Sequence, residues 1–329
     1  MENPTIFLFN MLEKFRKTIH TKQCSFSYCV NKNVISAHSI QKNGPLKQIA
    51  ENGVVYQIKQ EIINGKDKFI ISKVGLKQAS AHYMFCKEHE DLFSGIENNN
   101  FKISTEHVFL ASLRSLMMEL YKRTLSIQFF TKNLEKISNT PEIKVFLNNY
   151  INNLKAGERD MQVAEQIYCK ALETNNFDHF QYLVLEFPKP IGIVSGGGIH
   201  ITNDFRNIIQ LQDLSLNMPL EMLFFSCVSV GNKTYFIFHY PELYKKSKKF
   251  MESFIFIPQK EKFGYLIQFF FGHCENTFFS NSFWQNLSCY QKKWLLQLWH
   301  PMSDFLYSSK SYKENFFSYN ENFHIYTNI

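Results

Sequence analysis

Two pairs of cysteine and histidine residues, far apart in the sequence, constrain this chain more than any other feature. Cys24 and Cys29 are separated by four residues, and Cys86 and His89 are separated by two. Two ligands at such spacing can bind one ion because the chain turns tightly between them, and a structural zinc takes four Cys or His ligands in a tetrahedron. The sequence therefore predicts one zinc bound by these four residues. The alternative is a set of ordinary thiols and a surface histidine.

The residues around the two pairs alternate between strand and helix patterns. Asn64-Gly65 is a strong hairpin turn signal, and the polar run of residues 98–100 is the best boundary in the first third of the chain. His38 lies on the first predicted strand. The N-terminal elements predicted from these patterns are a helix at 5–19, strands at 33–40, 54–63 and 69–74, and a helix at about 80–96.

The rest of the chain divides into a helical part and a strand-rich part. Thr140-Pro141 is a clear helix start, and apolar stripes extend over residues 101–176, so a helical hairpin or small bundle is expected there, with Gly157 a point of interruption. From residue 180 the predicted elements are strands at 182–187, 191–194, 199–202, 220–230 and 234–240, with a glycine loop at 196–198, and helices at 241–251, 260–274 and 282–299. The strands at 220–230 and 234–240 are nearly apolar on both faces, which predicts a covered sheet.

These patterns predict an α+β protein. Its expected parts are an N-terminal zinc-stapled module at 1–100, a central α-helical hairpin or bundle at 101–178, and a C-terminal mixed antiparallel β-sheet with helices at 179–329.

Charge and cysteine usage limit the partners and the compartment. The net charge of +7 permits a nucleic-acid partner without requiring one, and the lysine-rich stretch at 245–249 is typical of an exposed face or a helix end. The three arginines Arg114, Arg159 and Arg206 are expected to pair with acids, although one of them could bind phosphate. The odd number of cysteines, with no export signal and no apolar run long enough to span a membrane, favours a cytoplasmic protein.

Four further cysteines lie outside the two pairs in apolar surroundings, and they are expected to be buried thiols: Cys169, Cys227, Cys274 and Cys289.

The order of features over residues 20–97 resembles the zinc-containing HNH, or His-Me finger, nucleases. A cysteine pair is followed by a strand with Ala37-His38-Ser39-Ile40, then a hairpin, then the Cys86/His89 pair opening a helix. The resemblance implies a treble-clef or ββα-metal module in which zinc only holds the scaffold. It implies that His38 is the general base that activates water, and that a separate catalytic Mg²⁺ or Mn²⁺ holds the scissile phosphate. Proteins with this core are often parts of bacterial defence against foreign nucleic acid.

The chemistry is reasonable without the family name. A neutral imidazole takes a proton from water near pH 7, and a divalent metal neutralises the charge that develops on phosphate. Glu90 and Asp91, directly after the second ligand pair, are the candidates for binding that metal. Where the HNH pattern usually has an acid before the histidine, this chain has Ala37, so a module that retains zinc without catalysis is a second possibility.

Two hypotheses from different classes follow. The first is a metal-dependent nuclease that binds nucleic acid, with its helical or C-terminal region contacting a protein partner or a second copy of the chain. The second is a catalytically inactive zinc-binding interaction or sensor protein. Neither hypothesis includes a membrane partner.

Overall fold

The protein is a mixed α+β structure with antiparallel sheets. The computed structural model describes residues 11–12, 14–16, 19, 23–63, 66–97, 100–138, 140–210, 218–299, 312–314, 316–319 and 321–329. The strands are β1 Val34–His38, β2 Val54–Ile63, β3 Lys66–Gly75, β4 Ala81–Cys86, β5 Phe180–Phe187, β6 Ile193–His200, β7 Met222–Val230, β8 Lys233–Pro241, β9 Thr277–Phe279 and β10 His324–Thr327. The α-helices are α1 Lys47–Ile49, α2 Lys87–Asp91, α3 Thr105–Ile137, α4 Pro141–Thr174, α5 Lys245–Ile255, α6 Gln259–His273, α7 Asn281–Gln285 and α8 Cys289–Leu298.

Two sheets organise the strands. Strands β1 and β4 form a two-stranded ribbon, and the others form an eight-stranded sheet in the order β10-β5-β8-β7-β6-β9-β2-β3. Each neighbouring pair is antiparallel. The sheet thus contains strands from both the predicted N-terminal and the predicted C-terminal regions, which meet where Tyr56 of β2 pairs with Phe279 of β9. The division at 1–100, 101–178 and 179–329 stays a prediction.

The predicted helical hairpin is confirmed as the pair α3 and α4. Ser104 caps α3 by accepting from the backbone N–H of His107, and Thr140 caps α4 in the same way with Ile143. Helix α4 continues without interruption through Gly157, so the predicted interruption there is wrong. A Cβ at residue 157 would lie 3.5 Å from the guanidinium carbon of Arg123 in α3, which is an ordinary van der Waals contact.

The predicted covered sheet is also confirmed. On one face Phe224 packs in a core with Phe109 of α3 and Tyr168 of α4. On the other face Phe225 packs against Phe269 and Phe270 of α6, with ring centroids 4.8 and 5.3 Å apart. Successive residues of β7 point to opposite faces, and both faces are covered by helices, which explains why most of the strand is apolar.

Two helix predictions were wrong. Residues 81–86 form strand β4 and not the first part of a helix, because pairing with β1 satisfies their backbone. Helix α2 begins only at Lys87, and the predicted helix at 282–299 is two helices, α7 and α8. The N-terminal part of the helix predicted at 5–19 and the Asn64-Gly65 turn lie outside the described residues, although β2 and β3 pair up to Ile63 and Lys66.

The three glycines at 196–198 lie inside strand β6 and not in the predicted loop. A Cβ at Gly196 would lie 3.1 Å from the Ser115 Oγ of α3, and one at Gly198 would lie 2.7 Å from the Phe224 ring. The glycines are therefore required for the close approach of the neighbouring side chains. Among the described residues, no helix is long and apolar enough to cross a membrane.

Candidate metal centre

Three elements of the N-terminal region bring the predicted ligands together: a tight turn, strand β4 and helix α2. Cys24 and Cys29 lie on a tight turn in which the Cys29 N–H donates to the Phe26 carbonyl at 3.0 Å. Cys86 is the last residue of β4 and the N-cap of α2, and His89 lies on that short helix. The Ser25 N–H donates to the Met84 carbonyl at 2.8 Å, so the turn is attached directly to β4. The predicted grouping of the four side chains is thus observed.

The four ligand atoms have the spacing of a tetrahedral zinc site. All of them lie within 4.8 Å of one another, and all four residues are buried. Zn–S bonds of about 2.3 Å and Zn–N bonds of about 2.0–2.1 Å set tetrahedral edges of about 3.8 Å between sulfurs and about 3.6 Å between sulfur and nitrogen. The Cys29 Sγ to Cys86 Sγ distance is 3.9 Å, and the Cys24 Sγ to His89 Nδ1 distance is 3.5 Å. A buried set of three thiols and one imidazole therefore fits zinc in both chemistry and size.

The His89 ring is oriented as a ligand by its neighbours. Its Nδ1 faces the cluster, 3.2 Å from the Cys86 Sγ, while its Nε2 lies 3.2 Å from the Tyr28 hydroxyl. Phe26 stacks on the ring with centroids 4.1 Å apart. A hydrogen bond from Nε2–H to Tyr28 leaves the Nδ1 lone pair toward the cluster, which is the arrangement that metal-binding histidines commonly have. No sequence signal distinguished Tyr28 from the other tyrosines.

Metal binding at the cluster is coupled to the loss of thiol protons. Burial raises the pKa of Cys24 to about 12, against the opposing effect of the Cys86 backbone N–H. Burial also lowers the pKa of His89, so its imidazole is neutral at pH 7, the form that binds metals. Thiols with a high pKa bind zinc only by losing their protons, so binding at this site releases protons and weakens as the pH falls.

The cluster is attached to the central helices as well as to the ribbon. The Ser27 N–H donates to Glu165 Oε1 of α4 at 2.7 Å, and Glu165 is buried. Cys24, Cys29 and Cys86 belong to the same buried core as the inner faces of α3 and α4. A metal in this site therefore holds the N-terminal turn against both β4 and the helical pair.

His38 lies at the other end of the ribbon from the cluster. Val34 pairs with Cys86, whereas His38 pairs with Ala81. His38 is four residues beyond Val34 on β1, and four residues of strand span about 13 Å. His38 is hydrogen-bonded to the Leu76 carbonyl, and its buried Nε2 has no hydrogen-bond partner among the described residues, so the bonded nitrogen is Nδ1. Burial lowers the pKa of His38, which keeps the ring neutral with its Nε2 lone pair unused.

The structure gives no support to a catalytic metal on Glu90 and Asp91. Glu90 Oε1 lies 2.7 Å from Arg114, which also binds Glu97 at 2.8 Å, and Asp91 pairs with Lys87. Both carboxylates therefore already have a cation. Burial raises the pKa of Glu90, and the charge of Arg114 opposes that shift. Within the described ranges, the four-residue cluster is the only group of three or more potential ligands with metal-binding spacing.

Arg114 joins helix α3 to the segment that follows the cluster, and its loss is expected to be costly. An Arg114→Ala variant leaves Glu90 and Glu97 without their cation, and the three side chains are only 5%, 18% and 17% exposed. We expect the free energy of unfolding to fall by about 3–5 kcal/mol, measured by urea denaturation. The matched control is Lys87→Ala, whose pair with Asp91 is exposed and is worth about 0–1 kcal/mol. Equal effects of the two substitutions would contradict this assignment.

The predictions for the arginines and for the cysteines outside the cluster are confirmed except at Cys289. Arg114, Arg159 and Arg206 all pair with acids, as expected: the last two bind Asp160 and Asp204. Among the cysteines outside the cluster, Cys169, Cys227 and Cys274 are buried as predicted. Cys289 is exposed, because it begins helix α8 on the surface.

Comparison with protein-family models, with curated proteins and with solved structures found no match to this chain.

Proposed function

We propose that residues 20–97 form a zinc-stapled HNH-like module, of treble-clef or ββα-metal type, that hydrolyses phosphodiester bonds with His38 as the general base. Support comes from the order of elements around the cluster: a cysteine turn, an antiparallel ribbon whose first strand carries His38, and a helix that supplies His89. The long β2–β3 hairpin is an insertion between the two strands of that ribbon.

The state of the His38 ring carries the proposal. Its Nδ1 is held by the Leu76 carbonyl, its Nε2 has an unused lone pair, and burial keeps it neutral. A neutral imidazole fixed in one tautomer can take a proton from an attacking water. Because Nε2 is enclosed, the proposal requires that substrate binding expose it.

The zinc ion supplies structure and no chemistry in this proposal. Cys24, Cys29, Cys86 and His89 would all be engaged by it, which leaves no open position for a substrate or water. Glu90 and Asp91 are each paired with a cation, so the geometry gives no support to a second, catalytic metal on them. We therefore assign no described residue to Mg²⁺ or Mn²⁺.

A cleavage assay tests the proposal. The purified protein is incubated with plasmid DNA and, separately, with RNA, in the presence of Mg²⁺ or Mn²⁺ and in EDTA. Nicked or shortened product in at least one condition is expected. The resemblance implies a target in foreign nucleic acid, so unmodified phage DNA is a suitable further substrate.

The pH dependence of cleavage is a separate prediction. His38 acts as a base only when neutral, and its lowered pKa keeps it neutral below its ordinary value of 6.5. As the pH falls, activity is therefore expected to be retained through 6.5 and lost only at more acidic pH. The measurement is kcat/KM against pH, and an acid limb with its midpoint above 6.5 would assign the base to another group.

The second candidate is a zinc-binding interaction protein without catalysis. The pairing of Glu90 with Arg114 and the enclosure of His38 Nε2 favour it, because both groups are occupied or covered as in a structural role. One zinc per chain, with no cleavage under any of the metals tested, is the outcome that this candidate predicts.

A further inference from the structure

A groove with a strong excess of positive charge lies beside the ribbon that carries His38. Its volume is about 480 Å³, and it is bounded by β2 and β3, by the turn before β4, and by α3. We call it the basic groove, and its charged side chains are Arg16, Lys59, Lys73, Lys77, Lys122 and Glu275. Five cations and one carboxylate thus converge on one concave surface.

The floor of the groove is close to neutral. Glu275 lies 3.4 Å from Lys122 and 3.9 Å from Arg16, and Glu119 lies 3.7 Å from Lys122. Burial alone would lower the pKa of Lys122, but Glu119 and Glu275 raise it, so the amine is charged. Glu119 and Glu275 thus hold the two partly buried cations, Arg16 and Lys122, in place.

The unbalanced charge is on the walls. Lys73, near the end of β3, and Lys77, in the following turn, are exposed, and neither forms an ion pair with any described residue. Lys59 lines the groove from β2. Lys59 already interacts with a neighbouring group, so the charge without an ion-pair partner is that of Lys73 and Lys77, on β3 and on the turn that follows it.

We propose that the basic groove binds the phosphodiester backbone of a single nucleic-acid strand. The cations of the groove lie on several elements, which matches a repeating series of phosphates better than one phosphate group, and the aromatic residue Tyr83 also lines the groove. Ala81 lines the groove and pairs with His38 across the ribbon, so the groove lies beside the strand that carries the proposed base. That the polymer is a nucleic acid rests on the proposed function.

Binding is tested without cleavage, in EDTA, by fluorescence anisotropy of a labelled DNA single strand of about 20 nucleotides, longer than the ~4–16 nucleotides that such sites cover. The variant Lys73→Glu/Lys77→Glu removes two exposed cations and adds two negative charges, which repel phosphate. We expect its affinity to fall at least about tenfold and its slope of log K against log salt to fall by at least about 1.4, since each phosphate contact contributes about 0.7 for single strands.

The matched control is Lys245→Glu/Lys249→Glu, the same charge change at exposed positions of α5 that do not line the groove. Its affinity is expected to remain within about twofold of wild type at fixed salt. Equal losses in the two double variants would show a general charge effect and overturn the proposal. Full displacement of the strand by millimolar AMP would show a mononucleotide site and would also overturn it.

The inference and the proposed function fail in different ways. Strand binding that depends on Lys73 and Lys77, without cleavage under any metal, keeps the groove and removes the catalytic role of His38. Cleavage that is unaffected by Lys73→Glu/Lys77→Glu keeps the catalytic role and removes the groove as its substrate site. A circular dichroism spectrum equal to that of wild type shows that the variants are folded.

Discussion

A Cys29→Ser variant is expected to lose its zinc and to unfold at much lower denaturant than the wild type. Three thiols and one imidazole surround the proposed ion, and a hydroxyl is a poor replacement for a thiolate. Zinc binding in small structural sites contributes about 10–16 kcal/mol of apparent folding free energy at pH 7. We therefore expect the free energy of unfolding to fall by more than ~4 kcal/mol, which is exceptional for one substitution.

Two cysteines provide the controls for this experiment. Cys227 is buried in the apolar core on β7 and Cys289 is exposed on α8, and neither belongs to the cluster. Cys227→Ser and Cys289→Ser should both retain one zinc per chain by elemental analysis, although the first is destabilised by burying a hydroxyl. A Cys29→Ser protein with unchanged zinc content and unchanged unfolding would contradict the site.

A His38→Ala variant is expected to lose cleavage by about 10²–10⁴-fold while retaining its zinc, because general-base catalysis is removed. His38 is about 13 Å along the ribbon from Cys86, so the metal cluster does not depend on it. The measurement is the initial rate of plasmid or RNA cleavage at saturating Mg²⁺ or Mn²⁺, with zinc content determined on the same samples.

His324→Ala is the matched substitution, since His324 is an exposed histidine on β10, outside both the ribbon and the metal cluster. It should cleave at the wild-type rate. If His38→Ala cleaves as fast as the wild type, His38 is not the base, whatever the zinc content shows.

The cluster was predictable because its signal is local and chemical. The short spacings of Cys24 with Cys29 and of Cys86 with His89 allow the two members of each pair to bind the same ion. The four ligands could therefore be grouped without knowledge of the fold. Helices α3 and α4 were predictable for a similar reason, because their caps and apolar stripes are contained in their own sequence. Local signals of this kind persist in the folded chain.

Features that depend on distant contacts were not predictable. Strand β4 has a locally helix-compatible pattern and becomes a strand only by pairing with β1. The glycines of β6 are explained by Ser115, Cys274 and Phe224, which approach from other elements. The pairing of Glu90 with Arg114, which removes it as a metal ligand, joins α2 to α3, and the basic groove combines lysines from β2, β3 and α3. A single sequence contains no signal for such convergence.

Zinc K-edge X-ray absorption on the purified protein tests the central claim most directly. The structure predicts one zinc per chain in a shell of three sulfur ligands at about 2.3 Å and one nitrogen ligand at about 2.0–2.1 Å. The site would be contradicted if protein purified without chelator contained much less than one zinc per chain. It would also be contradicted if the zinc had only oxygen and nitrogen neighbours.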